Sequence, residues 1–339
     1  MFDFTARLAN AADRLAALAE RLTHRSPRPV LALAAIVKNE GPYLLEWVAW
    51  HRLQGITTFF IADNGSDDGT TALLDAMARA GLVIHFRFVP APGVAPQLPA
   101  YRRIIRRYGH RAQWFAFFDA DEFLRPLPGC PDFSAWLAGL PESVGAVGVN
   151  WACYGSSGRD APGQGLIHER FTRRGEDGFH RHLIIKSVVR ARDYRRTSGT
   201  PHDFLLEPGR ALVDTTGRPF GDRQRKLGSS PERVWGAARL DHFLVKSYSE
   251  YRFKKAARGS ATLNKLIRDD DFFRKNDANG QTDPTTPAEI AALTAEMAIL
   301  RARLQGIVPA ARDLDLQLDR IPRAVRPGEL KLRPLRPRA

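Results

Sequence analysis

The sequence predicts an α/β fold: a mostly parallel sheet flanked by helices, with helical extensions at both ends. Three observations predict it. Apolar runs of strand length alternate with helix-periodic segments. Gly, Pro, Asn and Asp punctuate the junctions. The residues with chemical potential cluster just after the apolar runs, and sheets of this kind bind ligands beyond the carboxyl ends of their strands.

Each element follows in order. Residues 3–24 place Phe4, Leu8, Ala11, Leu15, Leu18 and Leu22 on one helical stripe, which "SPRP" (26–29) ends. "VLALAAIV" (30–37) is a continuous apolar run, as in a strand buried on both faces. "GPYLLEWVAWHRLQG" (41–55) reads as a helix, with Pro42 in its first turn and Gly55 past its last. "TTFFIA" (57–62) is a second strand, "DNGSDDGT" (63–70) turn chemistry, and "TALLDAMARAG" (71–81) a helix closed by Gly81. "LVIHFRFV" (82–89) and "WFAFF" (114–118) are the third and fourth strands. Much later, Thr286, Pro287 and Glu289 have the spacing of a capping box. Ile290, Leu293, Met297, Leu300 and Leu304 then form a stripe that is expected to pack on the main domain.

Composition narrows the function classes. The chain has 339 residues, 44% of them hydrophobic, which is enough for a real core. No run approaches the roughly 18 apolar residues of a membrane span, and charged residues interrupt the N-terminal segment where a signal peptide would be continuous. Two cysteines, Cys130 and Cys153, cannot build a disulfide framework, so the expected compartment is the cytoplasm. The formal charge of +14 favours an anionic partner. The N-terminal stripe and the basic, proline-containing segment 320–339 suggest peripheral contact with an anionic membrane.

The candidate site lies after the strands: Val37, Lys38, Asn39 and Glu40 after the first, Asp63 and Asn64 after the second, Asp119 and Asp121 after the fourth. In extended chain, residues i and i+2 face one side, roughly 7 Å apart. Asp119 and Asp121 are therefore expected to share one ligand, with Glu122 turned away into a supporting role. Oxygen ligands suit Mg²⁺ or Mn²⁺, which take one or two carboxylates plus substrate phosphates.

"IVKNEGPYLLEWVAWHRLQGITTFFIADNGSDDGT" followed by "WFAFFDADEFL" resembles the nucleotide-sugar half of GT-A glycosyltransferases, in the family 2-like branch close to glycosyltransferase family 92. "WACYGSSG" (151–158), "KSVVR" (186–190) and "HFLVKSYSEYRFKKAARG" (242–259) extend the likeness to about residues 30–260. With the helical and basic segments read above, the resemblance implies a division into an N-terminal helix (1–28), a glycosyltransferase domain (29–260, with nucleotide half 29–127 and acceptor half 128–260), a helical region (261–319) and a basic tail (320–339). It also implies a soluble, inverting enzyme that moves one sugar from a nucleotide sugar, commonly a UDP-sugar, to a glycan or lipid-linked hydroxyl. Asp63 is similar to the acid that binds the base, Asp119 to the first acid of a DxD motif, and Asp121 to the acid that binds the metal. His242 stands where a late metal ligand often falls, with His202 as its rival, and Lys186 and Lys246 are candidates to neutralise diphosphate. A base for the acceptor belongs downstream: Glu169 is the first candidate, Asp160 and Asp203 the alternatives, and a surface pair of Glu169 with Arg170 or Arg173 competes with that role.

The departures matter too. There is no QxxRW motif and no membrane helix, which argues against a processive synthase with its own channel. A haloacid-dehalogenase phosphatase is disfavoured because Phe123 stands two residues after the second aspartate. A nucleic-acid-binding protein is disfavoured because no such module is present and the basic residues are dispersed. A glycosyltransferase-like binding protein without activity remains the chief alternative.

Overall fold

Strand β1 (Leu31–Val37) forms in the first long apolar run, and all but Ile36 of its residues are buried. This computed structural model describes residues 28–91, 93–220, 227–256 and 268–305, together with Asp13 and Ile307. The expected helix over 3–24 and the basic tail fall outside the described residues, apart from Asp13, as do 261–267, 306 and 308–319.

Helix α1 (Gly41–Leu53) starts with Pro42 in its first turn, and Gly55, at φ 80°, lets the chain leave it. Strand β2 (Phe59–Asp63), helix α2 (Thr70–Arg79), strand β3 (Ile84–Arg87), helix α3 (Gln97–Tyr108) and strand β4 (Trp114–Phe117) complete the first half. β1, β2, β3 and β4 are parallel. The four predicted strands and the two helices between them are present. Helix α3 was not read from the sequence. Alternation along the strands sorts their side chains to two faces. Leu31, Leu33, Ala35, Phe59 and Ile61 pack on the side of α1 and α2. Ala32, Ala34, Phe60 and Phe115 pack against Tyr101, Ile104 and Ile105 of α3.

The second half returns strands to the same sheet. These are β5 (Glu122–Pro126), β6 (Val144–Cys153, after helix α4, Phe133–Ala138), β8 (Ile185–Arg190), β11 (Ala211–Val213) and β12 (Ala238–His242). The strand order is β3-β2-β1-β4-β8-β6-β12-β5, with β11 also on β6. β8 runs antiparallel to β4 and β6, and β5 antiparallel to β12. Helix α5 (Ile167–Arg170), strand β7 (Arg173–Arg174) and the hairpin of β9 (Tyr194–Thr197) with β10 (Phe204–Leu206) lie outside this path. After β12 come helix α6 (Tyr248–Glu250), which runs into a π-helical turn (Tyr251–Ala256), then α7 (Asp270–Asn276), β13 (Gln281–Thr282), paired with β7, and α8 (Pro287–Gln305).

Helix α8 begins as the capping box predicted: Thr286 N and Oγ1 donate to Glu289 Oε2 at 2.9 and 2.7 Å. Its buried residues Leu293, Met297, Leu300 and Leu304 pack over α1. α1 is thus covered on both sides, which is why it is apolar nearly all round. Arg125 ties the layers together. Its Nε donates to Asp241 Oδ2 at 2.6 Å, it pairs with Glu289, and its guanidinium lies 4.7 Å from the Trp50 ring centroid.

Candidate functional site

The loops after β1 and β2 interlock to form one wall. Asn39, in a left-handed conformation at φ 56°, donates its backbone N–H to Ser66 Oγ at 3.0 Å. Its amide exchanges two bonds with Asp67, Nδ2 to Oδ1 at 2.7 Å and Asp67 N to Asn39 Oδ1 at 3.0 Å. Asn64 N donates to Val37 O at 2.8 Å, and Gly41 N to Thr70 Oγ1 at 2.7 Å. Asp63 is fully buried and builds this loop. Its Oδ1 accepts from Ser66 N (3.0 Å) and Ser66 Oγ (2.6 Å), and its Oδ2 from Thr71 Oγ1 (2.5 Å).

The acidic pair sits at the end of β4, but not on extended chain. The backbone turns through Ala120 and Asp121, with Glu122 N donating to Asp119 O at 3.0 Å, and then enters β5. The expectation of a continuing strand is corrected here: β5 must reverse to pair with β12. Trp47 of α1 fixes the turn by donating its Nε1 to Glu122 O at 2.8 Å and Asp119 O at 3.1 Å. Phe243 N fixes it from the other side, donating to Asp121 O at 2.9 Å.

Asp119, with a third of its side chain exposed, accepts from Gln97 Nε2 at 2.8 Å and Tyr101 OH at 3.3 Å. Lys186 of β8 is fully buried and places Nζ 3.0 Å from Asp119 Oδ2 and 3.4 Å from Glu122 Oε2. Burial alone would raise the Asp119 carboxyl, but Lys186 outweighs it and holds the group below the ordinary range. Glu122 goes the other way. Burial, with Asp119 and Asp121 beside it, lifts it well above ordinary values despite Lys186. Lys186 therefore neutralises carboxylates in this structure, and Glu122 supports Asp119 by accepting its N–H at 2.8 Å.

Asp121 is buried between two cationic or ligating groups. Its Oδ1 lies 3.6 Å from His242 Nε2, and its Oδ2 contacts Lys255 Nζ. Burial raises its carboxyl, yet Lys255 and then His242 hold it well below the ordinary range. His242 packs on Trp151 with ring centroids 4.1 Å apart, and burial lowers its pKa to about 4. His202 approaches the same Trp151 at 5.3 Å, and burial lowers it to about 3. Its Nδ1 is 3.0 Å from Ile185 O. A carbonyl only accepts, so that nitrogen carries the proton and Nε2 keeps its lone pair. Both imidazoles are therefore neutral at pH 7.

A divalent ion fits part of this arrangement. The 3.6 Å between Asp121 Oδ1 and His242 Nε2 is too long for a hydrogen bond. It suits two ligands of one ion at about 2.0–2.2 Å each. Among the described residues no group of three or more His, Cys, Asp or Glu is gathered for a metal, so substrate oxygens would have to complete the shell.

The remaining candidates are more scattered. Lys246, buried and at φ 56°, lies 4.6 Å from the Tyr43 ring centroid, and Glu40 accepts from Lys254 Nζ at 2.6 Å. Exposed Glu169 caps α5, with Oε2 accepting from Leu166 N at 2.7 Å. Its neighbour Arg170 pairs with Glu250 at 3.0 Å, not with Glu169. Asp160 is exposed, and Asp203 is buried and accepts from Phe204 N at 2.8 Å. Sequence reasoning missed the buried acids Glu46 and Glu250. Glu46 accepts from Ile167 N and His168 Nδ1, both at 2.8 Å. Glu250 accepts from Tyr43 OH at 2.8 Å. Glu46's partners lie more than a hundred residues away, so no local pattern marks it; Glu250 closes a local Ser247-x-x-Glu capping box, a signal the sequence reading passed over. Lys255 was missed as well, although it falls in the "FKKA" of the quoted motif.

Residues 35–142 match the family described as Glycosyltransferase family 92. That segment holds Asn39, Glu40, Asp63, Asn64, Asp119 and Asp121; Glu169, Lys186, His242 and Lys246 lie beyond it. A glycosyltransferase family 92 protein of Arabidopsis thaliana is 25% identical over 194 residues, covering 53% of this chain and 32% of that protein. One from Oryza sativa subsp. japonica is 28% identical over 189 residues, covering 54% and 31%. The chain spans about a third of the length of these curated relatives. Among solved structures, S. aureus TarS 1–349 in complex with UDP-GlcNAc overlaps 86% of this chain and 77% of its own, at 11% identity and a TM-score of 0.38. Glucosyl-3-phosphoglycerate synthase from Mycobacterium tuberculosis, in complex with Mn²⁺, UDP and glucosyl-3-phosphoglycerate, overlaps 36% and 44%, at 19% identity and a TM-score of 0.25. The sequence resemblance to glycosyltransferases close to family 92 is borne out by the family and its curated members. No described helix is long and apolar enough to cross a membrane.

Proposed function

We propose that this protein is a metal-dependent, inverting glycosyltransferase. It moves one sugar per encounter from a nucleotide sugar, with UDP as the carrier, to a hydroxyl of a glycan or lipid-linked acceptor. The observation that carries the reading is the turn of Asp119 and Asp121 at the carboxyl end of β4, beside the wall made by the loops after β1 and β2. The similarity of residues 35–142 to family 92 supports it.

The roles proposed here combine the family resemblance with this geometry. Asp63 and Asn39 hold the loop against which the nucleoside binds. Asp121 and His242 would hold Mn²⁺ or Mg²⁺, and Asp119, oriented by Gln97, Tyr101 and Lys186, would serve the ribose and the ion. When bound, the ion supplies positive charge to the leaving diphosphate. Inversion needs one carboxylate to take the acceptor proton as the bond to the anomeric carbon forms. Glu169, exposed and fixed at the start of α5, is the proposed base, with Asp160 and Asp203 as its rivals.

The test is transfer, or hydrolysis, of radiolabelled nucleotide sugars with Mn²⁺ and with excess EDTA. Activity is expected with the ion only, and Asp121→Ala is expected to abolish it while the protein stays folded by circular dichroism. Full activity in EDTA, or in Asp121→Ala, sinks the assignment. Binding of the nucleotide sugar with no turnover on any acceptor marks a binding protein instead.

A further inference from the structure

Two lysines meet acids beside the Asp119–Asp121 turn, and a third lies near them. Lys246, Lys254 and Lys255 line a cleft of about 220 Å³ together with Glu40 and Glu250. Lys254 and Lys255 are consecutive residues of the π-helical turn Tyr251–Ala256, and they reach different walls. Lys254 Nζ lies 2.6 Å from Glu40 Oε2, after β1. Lys255 Nζ contacts Asp121 Oδ2, after β4. Both side chains are largely buried, while Phe253 between the same turns of chain is half exposed. The turn is thus fastened across the gap between the two loops by two ion pairs.

The cation at Asp121 Oδ2 is an ammonium, and Oδ1 faces His242. We infer that Lys255 is the resident counter-cation of Asp121, that it competes with a divalent ion for this carboxylate, and that a diphosphate relieves the competition by giving the lysine a new partner. The physics is short-range. An ammonium and a dication on one buried carboxylate repel strongly where water is excluded. A diphosphate arriving with the ion brings negative charge for the displaced lysine, and Lys246 and Lys254 border the same cleft. The exchange moves ions only; no covalent bond changes. Ion binding without nucleotide is therefore weak by construction, and ion and nucleotide bind cooperatively.

This inference rests on the proposed placement of a divalent ion at Asp121, and the experiment separates the two. Mn²⁺ is titrated into the full chain, and free Mn²⁺ is read by electron paramagnetic resonance, first alone and then with UDP. Lys255→Gln and Lys255→Met should bind Mn²⁺ alone at least about tenfold more tightly than the wild type, the scale of one charged hydrogen bond removed. Lys255→Arg should stay close to wild type, because it keeps the charge. Lys254→Gln should stay within a factor of about two, since its partner is Glu40. UDP should tighten Mn²⁺ binding to the wild type more than to Lys255→Gln. If wild type, Lys255→Gln and Lys255→Met bind Mn²⁺ equally, the competition does not exist, while the ion site survives. If none of them binds Mn²⁺ even with UDP, the ion site and this inference fall together.

Discussion

Lys186→Met should expose the electrostatic cost of the acidic turn. Lys186 and Glu122 are both fully buried, and Nζ lies 3.4 Å from Glu122 Oε2 and 3.0 Å from Asp119 Oδ2. Methionine fills a similar volume and removes the charge together with its N–H donors. Asp119 keeps Gln97 and Tyr101 as donors and has a third of its side chain in solvent, so it adapts. Glu122 does not: it keeps one donor, Asp119 N, and its Oε1 has no hydrogen-bond partner among the described residues. Removing one partner of a buried ion pair costs about 3–5 kcal/mol, a large share of the roughly 5–15 kcal/mol that holds a domain folded. The penalty has a sign with pH. Burial already raises the Glu122 carboxyl, and without Lys186 it rises further. The folded mutant then binds a proton that the unfolded chain, with a glutamate pKa of about 4.3, releases. Its stability therefore falls as pH rises above that value. Urea unfolding should show the full loss at pH 7, a smaller loss at pH 5, and recovery in Lys186→Met with Glu122→Gln. A loss under about 1 kcal/mol at pH 7, with no coupling between positions 186 and 122, would refute the reasoning.

Three further outcomes are expected. Asp63→Ala strands the Ser66 and Thr71 donors, so it should cost about 1–3 kcal/mol of stability and raise the donor KM more than it lowers kcat; an unchanged KM with a collapsed kcat would give Asp63 another role. Glu169→Gln should lower kcat on a true acceptor and leave donor affinity intact by calorimetry, whereas a loss confined to Asp203→Asn or Asp160→Asn would move the base there. His51 (about 3), His202 (about 3), His182 (about 4) and His242 (about 4) are all lowered, chiefly by burial. The unfolded chain takes up protons near pH 6.5 that the fold refuses, so stability should be intact above that pH and fall by up to about 1.4 kcal/mol per unit for each histidine toward pH 4. Thermal melting between pH 7 and pH 4.5 checks this, and a flat profile contradicts it.

The sheet was legible where a signal was local. β1, β2 and β4 announce themselves as apolar runs bounded by turn residues, and α8 by its capping box and apolar stripe. α3 escaped because its polar face is unusually arginine-rich and no cap marks its start. In the site, the acids after the strands could be named from position alone. Their partners could not. Lys186 meets Asp119 from β8, Lys255 meets Asp121 from a turn beyond β12, and Glu250 meets Tyr43 across 207 residues. The reversal at Asp119–Asp121 was hidden for the same reason: only the pairing of β5 with the distant β12 makes the chain turn there.

The position of β12 also sets an order of assembly. It lies between β6 and β5, it supplies Asp241 for Arg125, 116 residues earlier, and the residue just after it, Phe243, gives its N–H to the Asp121 carbonyl. During synthesis β5 therefore leaves the ribosome long before β12, its one sheet neighbour among the described residues, exists. It waits as an unpaired edge carrying Phe123 and Leu124, both destined for full burial. Such an edge invites pairing with other chains until its own partner arrives. The acidic turn gains its final shape in that same late step. A ribosome that stalls before residue 238 would hold a chain with its parallel half formed and its β5 edge open, and chaperone demand should peak at that length.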